Sequence, residues 1–102
     1  MLAAFSVAPS TPADPTGSVH HAVARAVKIV RESGLPNETT SMFTTIEGEW
    51  DQIFAVIKQA TEAVEEFSDR VSLVIKCDIR RGYDANQLTE KVQRVEDDLA
   101  AE

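Results

Sequence analysis

The sequence predicts an α+β fold whose strands and helices follow the order β-α-β-β-α-β, with a third helix at the end. Some segments alternate apolar and polar residues with a period of two, and others repeat apolar residues at helical spacing. Each of the four glycines falls where one period gives way to the other. We expect residues 1–102 to form one domain, because a chain of this length builds a single modest core.

The first half of the chain predicts a strand, a loop and a helix. The strand covers Leu2–Ala8, where apolar residues alternate, and the loop Pro9–Gly17 is rich in proline and hydroxyl residues and is expected to be mobile. Ser18 is placed to cap a helix whose apolar residues follow the i, i+3, i+4, i+7 pattern up to Val30. Gly34 is expected to end this helix.

The middle of the chain predicts a hairpin, a helix and a strand. Extended runs over Asn37–Met42 and Phe43–Glu49 are joined by a turn near 41–43. A second helix follows, with an apolar stripe from Trp50 to Phe67. The period then returns to two over Val71–Ile79, the strongest strand pattern in the chain.

A last helix from about Asn86 carries a narrow apolar seam of Leu88, Val92, Val95 and Leu99. The complete order is that of the ferredoxin-like fold, with the first two helices on one sheet face and the first and third strands in the centre. On the opposite face we expect Ser6, Thr45 and Glu47, whereas Phe5, Val7, Thr44 and Ile46 should face the helices. An open sheet face in a small protein is often covered by a second copy of the chain, and the C-terminal seam is another candidate interface. We therefore expect a homo-oligomer.

Composition excludes several classes of function. A formal charge of -7 argues against general nucleic-acid binding and favours a neutral or cationic ligand. The single cysteine, Cys77, can form neither an intrachain disulfide nor a cysteine-cluster metal site, so we expect no metal site and a reducing compartment. No apolar run approaches the roughly 20 residues of a membrane span, and the first residues lack the basic region of a signal peptide. We therefore expect a cytoplasmic protein without membrane contact.

Four motifs resemble the small thiamine-binding proteins of the YkoF-like superfamily over Met1 to about Leu99. They are Ser-Gly-Leu-Pro at 33–36, Met-x-Thr-x-Ile-Glu-Gly-Glu-Trp-Asp in outline at 42–51, Ile-Lys-x-Asp-x-Arg at 75–80 and Leu-x-x-Lys-Val-x-x-Val at 88–95. The resemblance implies a ferredoxin-like fold, assembly into dimers or tetramers, and binding of thiamine or a related pyrimidine such as hydroxymethylpyrimidine. It implies no catalytic activity and no required cofactor.

The stretch from Phe43 to Gln52 holds the main candidate for ligand binding. Thiamine combines a cationic thiazolium with an aminopyrimidine, so its site needs an anionic or hydrogen-bonding partner, hydroxyl groups and apolar walls. Glu47 is the first candidate, and a buried carboxylate there must pair with the ligand, with Lys76 or with a neighbouring subunit. The other candidates are hydroxyl residues, turn residues and one tryptophan that is more typical of core packing, namely Ser6, Thr45, Ser41, Met42, Phe43 and Trp50.

Three functions remain open from the sequence. The first is a non-enzymatic thiamine- or pyrimidine-binding protein that serves vitamin uptake, salvage or storage. The second is a regulatory or structural module whose polar sheet face is only an assembly surface. The third is a small enzyme with Glu47 or Asp78 as general base, which we rank last because no Walker loop, Rossmann glycine pattern or HExxH motif is present. The face shared by Lys76, Asp78 and Arg80 is interpreted as a subunit interface.

Overall fold

A computed structural model describes residues 1–10, 19–82 and 85–102. The elements, in chain order, are β1 (Leu2–Pro9), α1 (His20–Glu32), β2 (Asn37–Thr39), β3 (Thr44–Glu47), α2 (Trp50–Glu65), β4 (Val71–Asp78) and α3 (Gln87–Ala101). Most of the predicted proline-rich loop and the predicted Ser18 cap lie outside the described residues. None of the helices in the described ranges is long and apolar enough to cross a membrane.

The strands form one antiparallel sheet in the order β2-β3-β1-β4, which confirms the predicted ferredoxin-like topology. β1 pairs with β3 over Leu2–Phe5 and with β4 over its full length. β1 and β3 are therefore the central strands, as predicted, and β2 and β4 are the edges.

Side-chain alternation along the central strands separates the two sheet faces. Odd-numbered residues of β1 are buried and even-numbered residues are half-buried, because successive side chains point to opposite faces. The core lies between the sheet and the two helices α1 and α2, and it includes Phe5, Val7, Ile46, Val30, Ile53 and Val64. Thr44 is also buried, so the residues predicted to face the helices do so.

The turn after α1 and the turn between β2 and β3 each depend on one residue. Gly34, just after α1, has a φ of 81°, which a residue with a Cβ rarely adopts. The strand predicted over Asn37–Met42 ends at Thr39, because Thr40 closes a turn in which its N–H donates to the Phe43 carbonyl at 2.9 Å. The hairpin turn thus lies where it was expected, and both of its strands are shorter than predicted.

Trp50 is not the core anchor that the sequence predicted. It is the first residue of α2, and 53% of it is exposed. At this helix end the indole lies beyond the core and stacks on Phe54, with 5.5 Å between ring centroids. Phe67, at the other end of the predicted stripe, follows the helix and is 37% exposed. The apolar stripe of α2 is therefore buried only in its middle turns.

Replacing Ile46 with alanine should destabilise the fold strongly. Ile46 is fully buried at the centre of β3, so the substitution removes apolar contacts and leaves a cavity, which costs roughly 2–5 kcal/mol. Urea unfolding monitored by circular dichroism measures this change. Glu38→Ala, at an exposed position on β2, is the control and should change the free energy of unfolding by less than about 0.5 kcal/mol. Equal effects of the two variants would contradict this account of the core.

Candidate functional site

A recess forms because β1 is longer than its neighbour β3. β3 begins at Thr44, opposite Phe5, so the part of β1 beyond Phe5 has no strand beside it on that side within the described residues. On its other side β1 remains paired with β4 as far as Pro9. The last residues of β1 therefore keep their place in the sheet while one edge of their backbone lies open.

The hydrogen bonds at the two ends of β1 show which backbone groups face this open edge. The amino terminus of Met1 donates to the Gly48 carbonyl at 2.9 Å, and the Gly48 N–H donates back to Met1 at 3.1 Å, so odd-numbered residues direct their backbone groups to the β3 side. Ser10 donates to the Arg70 carbonyl at 2.8 Å, so even-numbered residues face β4. Pro9 has no N–H and occupies an odd position, which agrees with this alternation. The N–H and C=O of Val7 consequently point toward the recess.

The recess holds a cavity of about 210 Å³ between the open edge of β1, the inner face of α1 and the β2–β3 turn. Four of the seven predicted ligand-binding residues line it, namely Ser6, Ser41, Met42 and Phe43. We call this the β1 cavity. Hydroxyl groups also come from Thr39, Thr40 and Thr44, and apolar walls come from Phe5, Val23 and Ala26. Its lining therefore combines hydroxyl and backbone polar groups with aromatic and aliphatic surface.

Thr40 fixes the turn that carries three of these residues. Its hydroxyl donates to the Phe43 carbonyl at 3.0 Å and lies 3.4 Å from the Phe43 N–H. Phe43 is half-buried against the cavity, whereas 74% of Met42 is exposed. The turn thus fixes the backbone that carries the Phe43 ring, and Met42 lies at the exposed rim.

Glu47 lies at the opposite end of β3 and has a partner that the sequence did not suggest. Only 3% of the residue is exposed, and its two carboxylate oxygens accept from the N–H groups of Gln87 at 2.8 Å and Leu88 at 3.2 Å. These are the first amides of α3, which carry the positive end of the helix dipole. Of the three partners considered from the sequence, Lys76 forms no ion pair with Glu47 among the described residues.

Glu47 takes the place of a local cap for α3. Asn86 precedes the helix with a φ of 65°, and its side chain makes no capping hydrogen bond. Glu47 supplies the acceptors from 40 residues earlier in the chain. No short sequence motif could have revealed this contact, because the capping box and similar signals operate over a few residues only.

The remaining predicted residues lie outside the β1 cavity. Thr45 lines a groove of about 490 Å³ between the outer face of the sheet and the first turns of α3. This outer groove also contains Lys76, Asp78 and Lys91, so charged groups of both signs surround it. Trp50 lines neither space. The structure therefore divides the seven candidates between two cavities, the α3 contact and the exposed end of α2.

Asp78 forms an ion pair with Lys91, which gives α3 a second attachment to the sheet. The hydrogen bond from Lys91 lowers the pKa of Asp78 below 3.8 and outweighs desolvation, which acts in the opposite direction. Since the charged form is favoured in the folded state, the pair stabilises it at neutral pH and loses this contribution as the pH falls below 3.8. The effect is small because both side chains are about half-exposed.

Comparisons with known proteins agree on one family. A family model described as thiamine-binding protein matches residues 3–96. The UPF0045 protein Mb1933 of Mycobacterium bovis is 45% identical over 97 residues, which cover 94% of this chain and 91% of that protein. The motif-based resemblance is thereby confirmed.

Two solved structures share the fold. The protein MJ1052 of Methanocaldococcus jannascii has a TM-score of 0.81 and 28% identity, covering 93% of this chain and 94% of that one. The protein TM0486 of Thermotoga maritima, assigned provisionally to thiamine biosynthesis or salvage, has a TM-score of 0.72 and 26% identity, covering 93% of this chain and 99% of that one. These neighbours confirm the α+β fold.

Replacing Glu47 with alanine should loosen the attachment of α3. The Gln87 and Leu88 amides lose a charged acceptor, and such hydrogen bonds contribute roughly 1.5–3 kcal/mol. Hydrogen exchange of these two amides should therefore accelerate by about tenfold to a hundredfold. Glu62→Ala, at an exposed position on α2, is the control and should leave both rates unchanged. Unaltered protection in the Glu47 variant would show that the carboxylate does not hold the helix.

Proposed function

We propose, since this chain belongs to the thiamine-binding protein family, that it is a non-enzymatic, cytoplasmic binding protein for thiamine or a related pyrimidine such as hydroxymethylpyrimidine. It acts as a homo-oligomer in uptake, salvage or storage of the vitamin. No cofactor takes part in this proposal, and the vitamin or its pyrimidine is the ligand.

The observation that carries the proposal is the open backbone edge of Val7 inside the β1 cavity. The Val7 N–H and C=O present a donor and an acceptor side by side, and an aminopyrimidine presents a complementary acceptor and donor along one edge. Phe43 supplies an aromatic surface against which a flat heterocycle can pack. Ser41 adds a hydroxyl group at the rim, which can serve a remaining polar position of the ring.

The size of the cavity favours a single ring over a larger ligand. Its volume of about 210 Å³ lies below the range of roughly 300–1,000 Å³ that is typical of sites for drug-sized molecules. The pyrimidine would occupy the cavity, and the thiazolium of intact thiamine would extend toward Met42 and solvent. The formal charge of -7 supports a cationic ligand over an anionic one through the overall field of the protein.

The geometry supports binding more than catalysis. Both oxygens of Glu47 accept hydrogen bonds from α3, and Asp78 is paired with Lys91. Neither carboxylate lines the β1 cavity. A general base must lie within hydrogen-bond reach of the proton it removes, and the two candidates for that role are engaged elsewhere.

Isothermal titration of the protein with thiamine and with hydroxymethylpyrimidine tests the proposal. Both ligands should bind saturably, with one site for each chain. Phe43→Ala removes the aromatic wall of the β1 cavity and should weaken both affinities by on the order of tenfold, because aromatic contacts contribute about 0.5–1.5 kcal/mol beyond burial.

Two hydroxyl deletions distinguish the β1 cavity from the outer groove. Ser41→Ala should weaken binding, and Thr45→Val, which removes a hydroxyl from the other sheet face, should leave it unchanged. The reverse result would move the ligand to the outer groove and reject the β1 cavity. No heat with either ligand at millimolar concentration would reject the binding function and favour the assembly module.

A further inference from the structure

The floor of the outer groove is one row of residues that crosses all four strands. Thr45 pairs with Glu38 on one side and with Ala4 on the other, and Ala4 also pairs with Lys76. These four side chains share the outer face, because paired residues in a sheet point the same way. All of them line the groove, whose volume of about 490 Å³ lies in the range of roughly 300–1,000 Å³ that is typical of small-molecule sites.

Helix α3 supplies one wall of this groove. The next row along the sheet consists of Glu47, Leu2 and Asp78, and its two ends hold α3 through the carboxylate hydrogen bonds and the ion pair described above. The first turns of α3 therefore lie over that row, directly beside the floor. Leu88 and Val92 of these turns line the groove and give the wall an apolar surface.

The charged groups that line the outer groove have opposite signs at its two ends. On β2, Glu38 forms neither a hydrogen bond nor an ion pair with any residue in the described ranges. At the β4 end, the ion pair between Lys91 and Asp78 leaves Lys76 as the cation that can attract an anion. Lys76 also makes no hydrogen bond or ion pair within residues 1–10, 19–82 and 85–102. The groove is therefore negative at one end and positive at the other.

Gln87 places a polar group beside the floor. Only 6% of this residue is exposed, and its Nε2 donates at long range to the Ala85 carbonyl at 3.4 Å and to Glu90 at 3.3 Å. Its Oε1 accepts no hydrogen bond from the part of the chain that the structure describes, so it is available to a donor in the groove. The Thr45 hydroxyl is likewise available. Uncharged polar groups thus accompany the two charged ends.

We propose that the outer groove binds an elongated zwitterion with the dimensions of a di- or tripeptide. The ammonium group of the ligand pairs with Glu38, and its carboxylate pairs with Lys76. Peptide groups between the two ends hydrogen-bond to Gln87 and Thr45, and apolar side chains pack on Leu88. The site lies on the sheet face opposite the first two helices, apart from the β1 cavity, and does not rest on the proposed function.

The length of the floor selects this size of ligand. Neighbouring strands lie about 4.8 Å apart, so the Cα atoms of Glu38 and Lys76 are separated by about 14 Å across three strand spacings. An extended di- or tripeptide is about 7–10 Å long, at roughly 3.3–3.6 Å for each residue. Its termini can therefore meet the two charged groups when both side chains lean over the floor. A single α-amino acid is too short to reach both ends.

The charge distribution favours a zwitterion over a simple ion. An anion would pair with Lys76 alone, and the formal charge of -7 on the protein opposes its approach. A cation would pair with Glu38 alone and would be repelled from the β4 end. A zwitterion pairs with both groups, and its zero net charge makes its approach indifferent to the overall field of the protein.

Titration with trialanine, followed through the backbone amide signals in nuclear magnetic resonance, tests the proposal. The amides of Thr45, Lys76 and Leu88 should shift saturably. N-acetyl trialanine lacks the ammonium group and trialanine amide lacks the carboxylate, so each should bind about fivefold more weakly, as expected for the loss of one exposed ion pair.

Charge-removing variants assign each end of the peptide. Lys76→Gln should weaken trialanine binding by about fivefold and leave the affinity of trialanine amide unchanged, because that ligand has no carboxylate to lose. Glu38→Gln should weaken trialanine equally and leave N-acetyl trialanine unchanged. Lys58→Gln and Glu62→Gln are the matched controls, since they change the net charge identically at exposed positions of α2 outside the groove. Both controls should bind every peptide as the wild type does.

A ligand without peptide groups identifies the source of the zwitterion. The ω-aminoheptanoate ion has similar length and the same two charges, so weaker binding than trialanine would assign the site to short peptides. Equal affinity would support a zwitterion site in which the end charges alone are recognised. The proposal would be overturned if trialanine at tens of millimolar shifted no amide of the groove, or if the two control variants weakened binding as much as Lys76→Gln and Glu38→Gln.

Discussion

The pairing of β1 between two strands of unequal length determines most of what this molecule can do. Because β1 pairs with β4 along its whole length, its alternation is fixed up to Pro9: odd side chains enter the core and even side chains face outward. Because β3 begins only at Thr44, the same alternation exposes the backbone of Val7 to the β1 cavity. Core packing and the candidate binding surface are consequences of one register.

The register also explains the surroundings of Glu47. Glu47 pairs with Leu2 at the far end of β3. Its side chain lies on the outer face of the sheet, on the side opposite the apolar core. The first amides of α3 supply two hydrogen bonds and a favourable dipole, which together offset the loss of hydration. α3 in turn is held at its first turns by Glu47 and Asp78, while Val92, Val95 and Leu99 stay exposed beyond them.

The sequence predicts the features that depend on periodicity and misses those that depend on where elements end. Alternation along Leu2–Ala8 and helical spacing around Ile53 and Val64 gave the fold, because burial of one face repeats over many residues. Ser6 alternates toward the outer face, as predicted, and it also contributes to the lining of the β1 cavity, because Thr40 closes its turn early and β3 begins only at Thr44. Trp50 fits the apolar stripe in spacing, yet it is the first residue of α2 and lies past the edge of the core. The contact between Glu47 and α3 spans 40 residues and has no local signal.

The two open stretches of backbone in this sheet differ in the partner that they can accept. Beyond Phe5, the free edge of β1 is short and enclosed by α1 and the Thr40 turn, so an additional strand has no room to extend there. A small planar molecule can still use the donor and acceptor of a single residue. The free edge of β4 is eight residues long, with Leu73 exposed on the helix side and Val74 exposed on the outer face, so a full strand can pair along it. The same backbone chemistry thus leaves room for a single planar group at one edge and for an extended strand at the other, and the length of the exposed segment makes the difference.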